Sequence, residues 1–342
     1  MARGLVRGLG VAAGVGAVAA GAVFAAQRAV ARRGRVRPDP DAGTALLPRF
    51  DREHRLVSHD GGVINVIERG QGPPILFSHG VTLSARTWVK QMEVLPALGF
   101  RVLAFDHRGH GASIVGEHGY TLDTLAWDVR TVLEGLDLRD AVVVGHSLGG
   151  VATQSFCVRF PEVAAERVAG VVLLSTLART PLAASRRWAW FLDRIGERLP
   201  DASGVLAARD LGFAITRFGF GRSPAPSHVE MTREMILACD PQTRRAAPGS
   251  LIGLDLIPEL VHVRVPTLVI VGTADLLTPP AESRRIARAI PGARLELVEG
   301  AGHMVMLERA EVLDELVADF ARSVRQAPVE TATGSAASPR PS

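Results

Sequence analysis

The sequence predicts an α/β protein in which helices cover both faces of a mostly parallel β-sheet and a helical cap is inserted. Short, β-branched apolar runs alternate with amphipathic stretches along most of residues 50–324, a pattern typical of parallel strands joined by crossover helices. A serine bounded by glycines, Ser147, follows one of these runs directly. The alternation stops between residues 177 and 262, where no such run occurs. These three observations predict the fold class and the place at which the cap is inserted.

The first 37 residues differ in charge from the rest of the chain. They hold seven arginines and no acidic residue, so the formal net charge of +4 for the whole chain becomes −3 for residues 38–342. The basic character therefore belongs to the head of the chain, and the body predicts no nucleic-acid partner.

An uncharged run inside this head predicts a membrane anchor. Residues 8–27 carry no charge, which is about the length needed to span a bilayer. Two arginines precede the run and five follow it closely, so the positive-inside rule predicts a single-pass anchor in the cell membrane with a cytoplasmic body. A cleaved secretory signal peptide, leading to a secreted protein, is the main alternative. A peripheral or disordered head is another.

Beyond a predicted linker over residues 38–49, the chain alternates strands and helices. Residues 52–58 and 63–68 predict an antiparallel hairpin around Asp60–Gly62. The further predicted strands are Pro74–Ser78, Arg101–Phe105, the run that precedes Ser147, Val168–Ser175, Pro266–Gly272 and Arg294–Val298. The predicted helices are Trp88–Leu98, Leu122–Leu136, a helix from Leu148 to before Pro161, 280–290 and 308–324. The core is thus divided into residues 50–176 and 263–324, and the tail 325–342 predicts disorder.

The interruption at residues 177–262 predicts a helical cap. Five apolar residues recur there at helical spacing: Trp188, Phe191, Leu192, Ile195 and Leu199. Further apolar bulk comes from Phe213, Phe218, Phe220, Met231 and Met235. Most of these side chains are expected to pack the cap onto the sheet, and a minority to line an apolar pocket.

The segment Gly145-His146-Ser147-Leu148-Gly149 matches the G-x-S-x-G nucleophile elbow. Such a serine sits on a strained strand-to-helix turn, and side chains at the two glycines would collide with neighbouring backbone. The segment is therefore interpreted as carrying the nucleophile Ser147. The alternative is a glycine-rich turn that holds a serine without using it.

A serine nucleophile needs a base and an acid, which follow it in that fold in the order serine, acid, histidine. Asp275 comes three residues after a predicted strand ending at Gly272, and the stretch after Val168–Ser175 offers no competing acid. An ordinary turn role for Asp275 is the alternative. His303 is the one histidine of the sequence beyond His262, so it is assigned as the general base. His146 is expected to be a packing residue, and His54, His59 and His228 surface residues.

The developing oxyanion would be stabilised by two backbone N–H groups. One is that of Leu148, the residue after the nucleophile, which also opens a helix whose dipole favours negative charge. The other is assigned to Val81, in the loop that follows the strand Pro74–Ser78, where Gly80 permits the turn. Cys157 and Cys239 have no metal-ligand or disulfide spacing and are predicted to be free thiols.

Taken together, these residues resemble the α/β-hydrolase superfamily over about residues 50–324. The resemblance rests on Ser147, Asp275, His303, the His79–Gly80 loop and the stretch DHRGHGAS at 106–113. It implies an eight-stranded sheet, a cap inserted after strand six, and a D-x-R-G-x-G-x-S loop that shapes the site without doing chemistry. The most similar branches are capped serine esterases and lipases, with cofactor-free haloperoxidase-like perhydrolases and carbon–carbon bond hydrolases beside them. Serine at position 147 departs from epoxide hydrolases and haloalkane dehalogenases, which have aspartate there.

The resulting hypothesis is a serine hydrolase that cleaves small carboxylic esters with apolar groups and requires neither a metal nor an organic cofactor. Perhydrolysis or carbon–carbon bond cleavage by the same triad is one alternative. A ligand-binding protein without catalysis is the other. The sequence leaves the substrate open because cap packing determines the shape of the pocket.

Overall fold

Eight strands form a single sheet with the spatial order β1-β2-β4-β3-β5-β6-β7-β8. β2 pairs antiparallel with both β1 and β4, and the other neighbouring strands pair parallel. The strands are β1 (Arg52–Val57), β2 (Val63–Arg69), β3 (Pro74–Ser78), β4 (Arg101–Phe105), β5 (Ala141–His146), β6 (Val168–Leu174), β7 (Thr267–Gly272) and β8 (Arg294–Val298). This computed structural model describes residues 28–29, 31–180 and 203–326. The eight-stranded, mostly parallel sheet confirms the predicted fold class.

The central strands are buried on both faces, as a parallel sheet requires. All six residues of β5 are buried. Their side chains alternate between two hydrophobic clusters: Val142 and Val144 pack with Met92 and Leu313 on one face, while Val143 packs on the other. Helices therefore cover both sides of the sheet, and the continuous valine run follows from burial on both faces.

The helices between the strands agree closely with the predicted ones. The described helices are α1 (Gln91–Ala97), α2 (Leu122–Gly135), α3 (Leu148–Arg159), α4 (Pro161–Arg167), α5 (Ser203–Ala207), α6 (Arg209–Arg217), α7 (Pro226–Ala238), α8 (Pro241–Ser250), α9 (Pro280–Ala289), α10 (Val305–Glu308) and α11 (Ala310–Gln326). Trp88, predicted to begin a helix, instead ends a 3₁₀ turn over Ala85–Trp88. Helix α11 continues to Gln326, and the rest of the predicted disordered tail lies outside the described residues.

Helices α5 to α8 lie in the insertion between β6 and β7, where the cap is predicted. The helix predicted around Trp188 to Leu199 falls outside the described residues, and the domain boundaries at 177 and 262 stay a prediction. Within the insertion, Phe213, Met231 and Met235 belong to the hydrophobic cluster that also contains the apolar face of the sheet at Val142. These three side chains therefore pack the insertion onto the core, as most of the apolar residues there were predicted to do.

The described residues contradict the predicted membrane anchor in the head of the chain. Among residues 28–29, 31–180 and 203–326, no helix has both the length and the apolar character needed to cross a bilayer. Residues 8–27, on which the prediction was based, lie outside these ranges. The physical weakness of the prediction is that eight alanines and five glycines make the run between residues 8 and 26 uncharged without making it strongly apolar.

The arginines that follow this run contact the body of the protein. Ala31 is fully buried, and Arg35 forms an ion pair with Asp210 of α6. Arg37 donates to the backbone carbonyl of Arg222 at 2.6 Å. These positive charges, which suggested the orientation of an anchor, are thus part of an intramolecular contact with the insertion.

The predicted linker is also held against the body. Asp39 accepts hydrogen bonds from the backbone and the hydroxyl of Ser227 at 2.7 and 2.8 Å. Asp41 pairs with Lys90 and with His228, which is buried. The prediction that His228 is a surface residue was wrong, because the segment before β1 covers it.

Candidate active site

Ser147 lies at the junction of β5 and α3 with φ 51° and ψ −118°, a conformation that costs energy for a residue with a side chain. The glycines two positions on either side are required by space. A Cβ at Gly145 would lie 2.5 Å from the carbonyl oxygen of Gly149, and one at Gly149 would lie 2.3 Å from that of Ser78. This confirms the steric reason for which the sequence predicts an elbow.

Strand β6 and the residues directly after it hold the strained backbone of Ser147 on both sides. Its N–H donates to the carbonyl of Leu174 at 3.0 Å, and its carbonyl accepts from Oγ1 of Thr176 at 2.6 Å. Because both polar groups of the serine backbone are bound, the hydroxyl has a defined starting point at the carboxyl edge of the sheet. Sequence reasoning did not identify the role of Thr176.

Asp275 and His303 meet at this edge although they lie on different loops. Nδ1 of His303 is 3.0 Å from Oδ2 of Asp275, and the aspartate follows β7 while the histidine follows β8. Oδ1 of Asp275 accepts the N–H groups of Leu277 and Thr278, both at 2.9 Å. Thr278 also donates its hydroxyl to Oδ2 at 2.8 Å. The carboxylate is therefore fixed in one orientation toward the imidazole.

These contacts keep Asp275 ionised. Burial alone would raise the pKa of this carboxyl, but the hydrogen bonds from His303 and Thr278 and the electrostatic influence of His303 outweigh it. The net effect lowers the pKa of Asp275 below its ordinary value. At neutral pH the site thus contains a buried carboxylate that accepts from the Nδ1 side of His303.

The backbone of His303 is held by two partners. Its N–H donates to the carbonyl of Gly219, in the insertion, at 3.0 Å. Its carbonyl accepts from Nε2 of His146 at 3.0 Å. His146 is completely buried, as a packing residue would be. Its hydrogen bond to His303 is an additional contact that the predicted packing role did not include. Its position next to Ser147 was visible in the sequence, but its contact with a residue 157 positions away was not.

Ser147 and His303 line one cavity of about 280 Å³. The insertion contributes apolar side chains to its wall, including Ile215, Phe218 and Phe220. This agrees with the prediction that a minority of the apolar residues in the insertion line a pocket. The volume is close to the lower end of the range usual for ligand sites. The cavity is therefore apolar around a polar pair.

The two backbone groups predicted to stabilise an oxyanion flank this site. Val81 lines the cavity, and Leu148 is the first residue of α3. Within the described residues, neither N–H group donates to a protein acceptor. By contrast, the N–H of Thr82, the residue after Val81, donates a hydrogen bond to Nε2 of His110 at 3.0 Å. Both N–H groups are thus available to a bound ligand.

The stretch DHRGHGAS at 106–113, after β4, forms a network of hydrogen bonds and ion pairs next to the loop that carries Val81. Asp106 accepts the N–H groups of Ala85 and Ala112 at 2.7 and 3.0 Å. Arg108 is buried between the carboxylates of Asp60 and Asp128, each at 2.7 Å. None of these four charged side chains lines the cavity around Ser147. Their contacts support a structural role for the DHRGHGAS stretch.

One cluster among the described residues has the composition of a metal site. It consists of His59, Asp60 and His118, near the β1–β2 turn. Both oxygens of Asp60 already accept from Arg108, and none of the three residues lines the cavity around Ser147. Cys157 and Cys239 are buried free thiols, as predicted.

Comparison with known proteins gives one consistent family. A model described as the alpha/beta hydrolase fold matches residues 73–310. The non-heme chloroperoxidase CPO-A1 of Kitasatospora aureofaciens is 30% identical over 73% of this chain and 92% of its own length. A non-heme chloroperoxidase of Streptomyces lividans is 31% identical over 76% of this chain and 96% of its own.

Solved structures agree with this result. A thermophilic esterase from Thermogutta terrifontis is 28% identical with a TM-score of 0.68, covering 80% of this chain and 99% of its own. An esterase from Exiguobacterium antarcticum reaches a TM-score of 0.70 over 79% of this chain and all of its own, but at 21% identity it supports the fold alone.

Proposed function

The chain belongs to the α/β-hydrolase fold family, and on that premise we propose that it is a serine hydrolase that cleaves carboxylic esters. The observation that carries the proposal is the 3.0 Å contact between Nδ1 of His303 and Oδ2 of Asp275, on the wall of the cavity that Ser147 also lines. Esterases among the similar structures are consistent with it.

In the proposed reaction, Oγ of Ser147 attacks the ester carbonyl carbon while Nε2 of His303 takes the hydroxyl proton. Asp275 holds the Nδ1–H and stabilises the imidazolium that forms. The N–H groups of Val81 and Leu148 stabilise the oxyanion of the tetrahedral intermediate. The carbon–oxygen bond to the leaving alcohol then breaks, and His303 returns the proton to that alcohol.

Water completes the cycle by attacking the acyl group on Ser147. His303 takes a proton from this water, and the second tetrahedral intermediate expels the serine oxygen. The proton passes to that oxygen, which restores the free enzyme and releases the carboxylic acid. The apolar wall from Ile215, Phe218 and Phe220 would hold the hydrocarbon part of the substrate near the carbonyl.

Labelling with a fluorophosphonate probe, together with hydrolysis of p-nitrophenyl esters, tests this proposal. Wild-type protein should be labelled and active, and Ser147→Ala should lose both properties. Ser175→Ala is a matched control, because Ser175 also follows a strand directly and also has a positive φ, of 44°. Circular dichroism should show that both serine variants are folded. Equal labelling of wild type and Ser147→Ala would then refute the assignment of Ser147 as the nucleophile.

Perhydrolysis is a second candidate, favoured by the names of the chloroperoxidases described above. Here hydrogen peroxide replaces water in attacking the acyl group on Ser147, and a peracid leaves. The measurement is peroxide-dependent bromination of an added diketone in the presence of acetate and bromide. If perhydrolysis uses the same serine, Ser147→Ala should abolish bromination together with ester hydrolysis.

A further inference from the structure

A second cleft opens beside the cavity of Ser147. It has a volume of about 590 Å³ and is lined by four arginines: Arg33, Arg37, Arg217 and Arg222. We call it the arginine cleft. Two of the four come from the segment before β1, and two lie at the end of α6 and just after it. The cleft exists because the head of the chain packs on the insertion.

The arginine cleft and the cavity share a wall. Phe218 and Phe220 line both spaces. Leu276 lines the cleft while its neighbour Leu277 lines the cavity, and the Cα atoms of adjacent residues are about 3.8 Å apart. Both leucines follow Asp275 directly. The arginine cleft therefore adjoins the cavity that Ser147 lines.

In the part of the chain that the structure describes, no acid pairs with the positive charges of this cleft. Among the described residues, none of the four guanidinium groups has a carboxylate within ion-pair distance. Arg37 and Arg217 both donate to the carbonyl oxygen of Arg222, at 2.6 and 3.2 Å, so two like charges converge on one atom. Burial and the charge on Arg37 lower the pKa of Arg217.

The acid that acts on Arg217 is already engaged elsewhere. Glu308 influences Arg217 electrostatically, but its oxygens accept the N–H groups of Gly221 and Gly302 at 2.7 and 2.9 Å. A cluster of cations held this close together by neutral carbonyl groups is stabilised by a bound anion. Guanidinium groups suit carboxylate and phosphate, because their N–H donors match two oxygens at once.

From these observations we propose that the arginine cleft binds a carboxylate or phosphate group carried by the ester substrate. This inference builds on the proposed function and specifies its substrate class: a hydrocarbon ester with an anionic group at the end remote from the scissile bond. The ester lies at Ser147, the hydrocarbon passes the shared wall of Phe218 and Phe220, and the anion lies among Arg37, Arg217 and Arg222.

Matched pairs of p-nitrophenyl esters test the proposal. The anionic members are the monoesters of adipic, suberic and sebacic acids, and the neutral members are the hexanoate, octanoate and decanoate. Wild type should show at least a tenfold higher kcat/KM for the anionic member of at least one pair. Arg37→Gln/Arg217→Gln should remove this preference, so that the anionic and neutral members of that pair differ less than twofold in kcat/KM.

Three further variants keep the result interpretable. Arg37→Lys/Arg217→Lys retains the charge and should retain most of the preference. Arg222→Gln, whose side chain is exposed, should reduce it without affecting the fold. Arg284→Gln/Arg288→Gln removes two exposed charges of α9 outside the cleft and should have no effect. An unchanged ratio of anionic to neutral kcat/KM in all variants would overturn the proposal.

Inorganic phosphate distinguishes a substrate site from an effector site. It should inhibit hydrolysis of the anionic esters competitively and leave the neutral esters unaffected, whereas equal inhibition of both would overturn the proposal. If no ester is turned over, the proposed function fails, and binding decides about the cleft. Monomethyl suberate should then bind Ser147→Ala at least tenfold more tightly than Ser147→Ala/Arg37→Gln/Arg217→Gln, and equal binding would refute the anion site.

Discussion

The imidazole of His146 donates its Nε2–H to the backbone carbonyl of His303 at 3.0 Å. The residue before the elbow serine therefore fixes the loop after β8 that carries the proposed base. The two rings lie 4.7 Å apart between centroids. Since His303 receives its other backbone contact from the insertion, through Gly219, the position of the imidazole depends on both the sheet and the insertion. His146 is therefore a positioning residue in the proposed site.

Substitution of His146 should affect catalysis through this contact. In His146→Leu the carbonyl of His303 stays buried without a donor, which costs about 1–3 kcal/mol of unfolding free energy. The loosened imidazole should lower kcat about tenfold to a hundredfold with little change in KM. Steady-state kinetics on a p-nitrophenyl ester measure this.

His146→Gln is the control, because its side-chain amide offers a donor in place of Nε2–H. It should recover most of the lost kcat. Equal kcat values in His146→Leu and His146→Gln would mean that the hydrogen bond to His303 does not position the imidazole.

Replacement of the carboxylate by an amide tests the orientation of the base. Asp275→Asn should keep the fold but present a donor to Nδ1 of His303, which favours the wrong tautomer. The expected loss in kcat is roughly 10³–10⁴-fold. Asp319→Asn, at an exposed ion pair on α11, should leave kcat unchanged. A kcat for Asp275→Asn within tenfold of wild type would show that Asp275 is not the orienting acid.

Two buried histidines, His79 and His110, should make the unfolding free energy depend on pH even at pH values above those at which carboxylates titrate. Burial lowers the pKa of His79 to about 4 and that of His110 to about 3. His110 fits a neutral ring, since Nδ1 lies 3.0 Å from the carbonyl of Arg108 and Nε2 accepts from Thr82. In the unfolded chain these histidines have the ordinary pKa of about 6.5 and become protonated below it. The contribution of the neutral buried rings to the unfolding free energy is therefore fully present above that pH and is lost as the pH falls.

Between pH 6.5 and 5, each of these two rings should reduce the unfolding free energy by about 1.5 kcal/mol. Urea unfolding at both pH values measures the loss. His110→Asn should make the loss smaller, while His262→Asn, at an exposed position, should not alter it. A midpoint that is the same at pH 6.5 and pH 5 would show that the rings are protonated in the folded protein.

The buried ion pairs of Arg108 predict a large effect on stability. Both Asp60 and Asp128 have fully buried side chains, and Arg108 is their common partner. Arg108→Met would leave two carboxylates in the interior without a counter-charge, at a cost of about 3–5 kcal/mol. Chemical denaturation measures this, and Arg139→Met, at an exposed pair, should leave the midpoint unchanged. A midpoint equal to wild type in Arg108→Met would refute the prediction.

The sequence predicts most of the sheet because each central strand carries its own signal. In β5, for example, three consecutive valines bounded by glycine report burial on both faces without reference to any other segment. The proposed triad is predictable for a related reason. Ser147, Asp275 and His303 each follow a strand, and the carboxyl ends of parallel strands share one edge of the sheet.

The sequence could not predict contacts between distant segments that have no local pattern. The hydrogen bond from His146 to His303 and the convergence of Arg37 and Arg217 on one carbonyl depend on how the loops and the insertion pack. The same limit explains the error at the head, where charges were assigned to a membrane flank but Arg35 pairs with Asp210. Local patterning thus determined the sheet and the order of the proposed catalytic residues. Tertiary packing alone decided what surrounds them, because side-chain contacts across 150 or more residues leave no periodicity in the sequence.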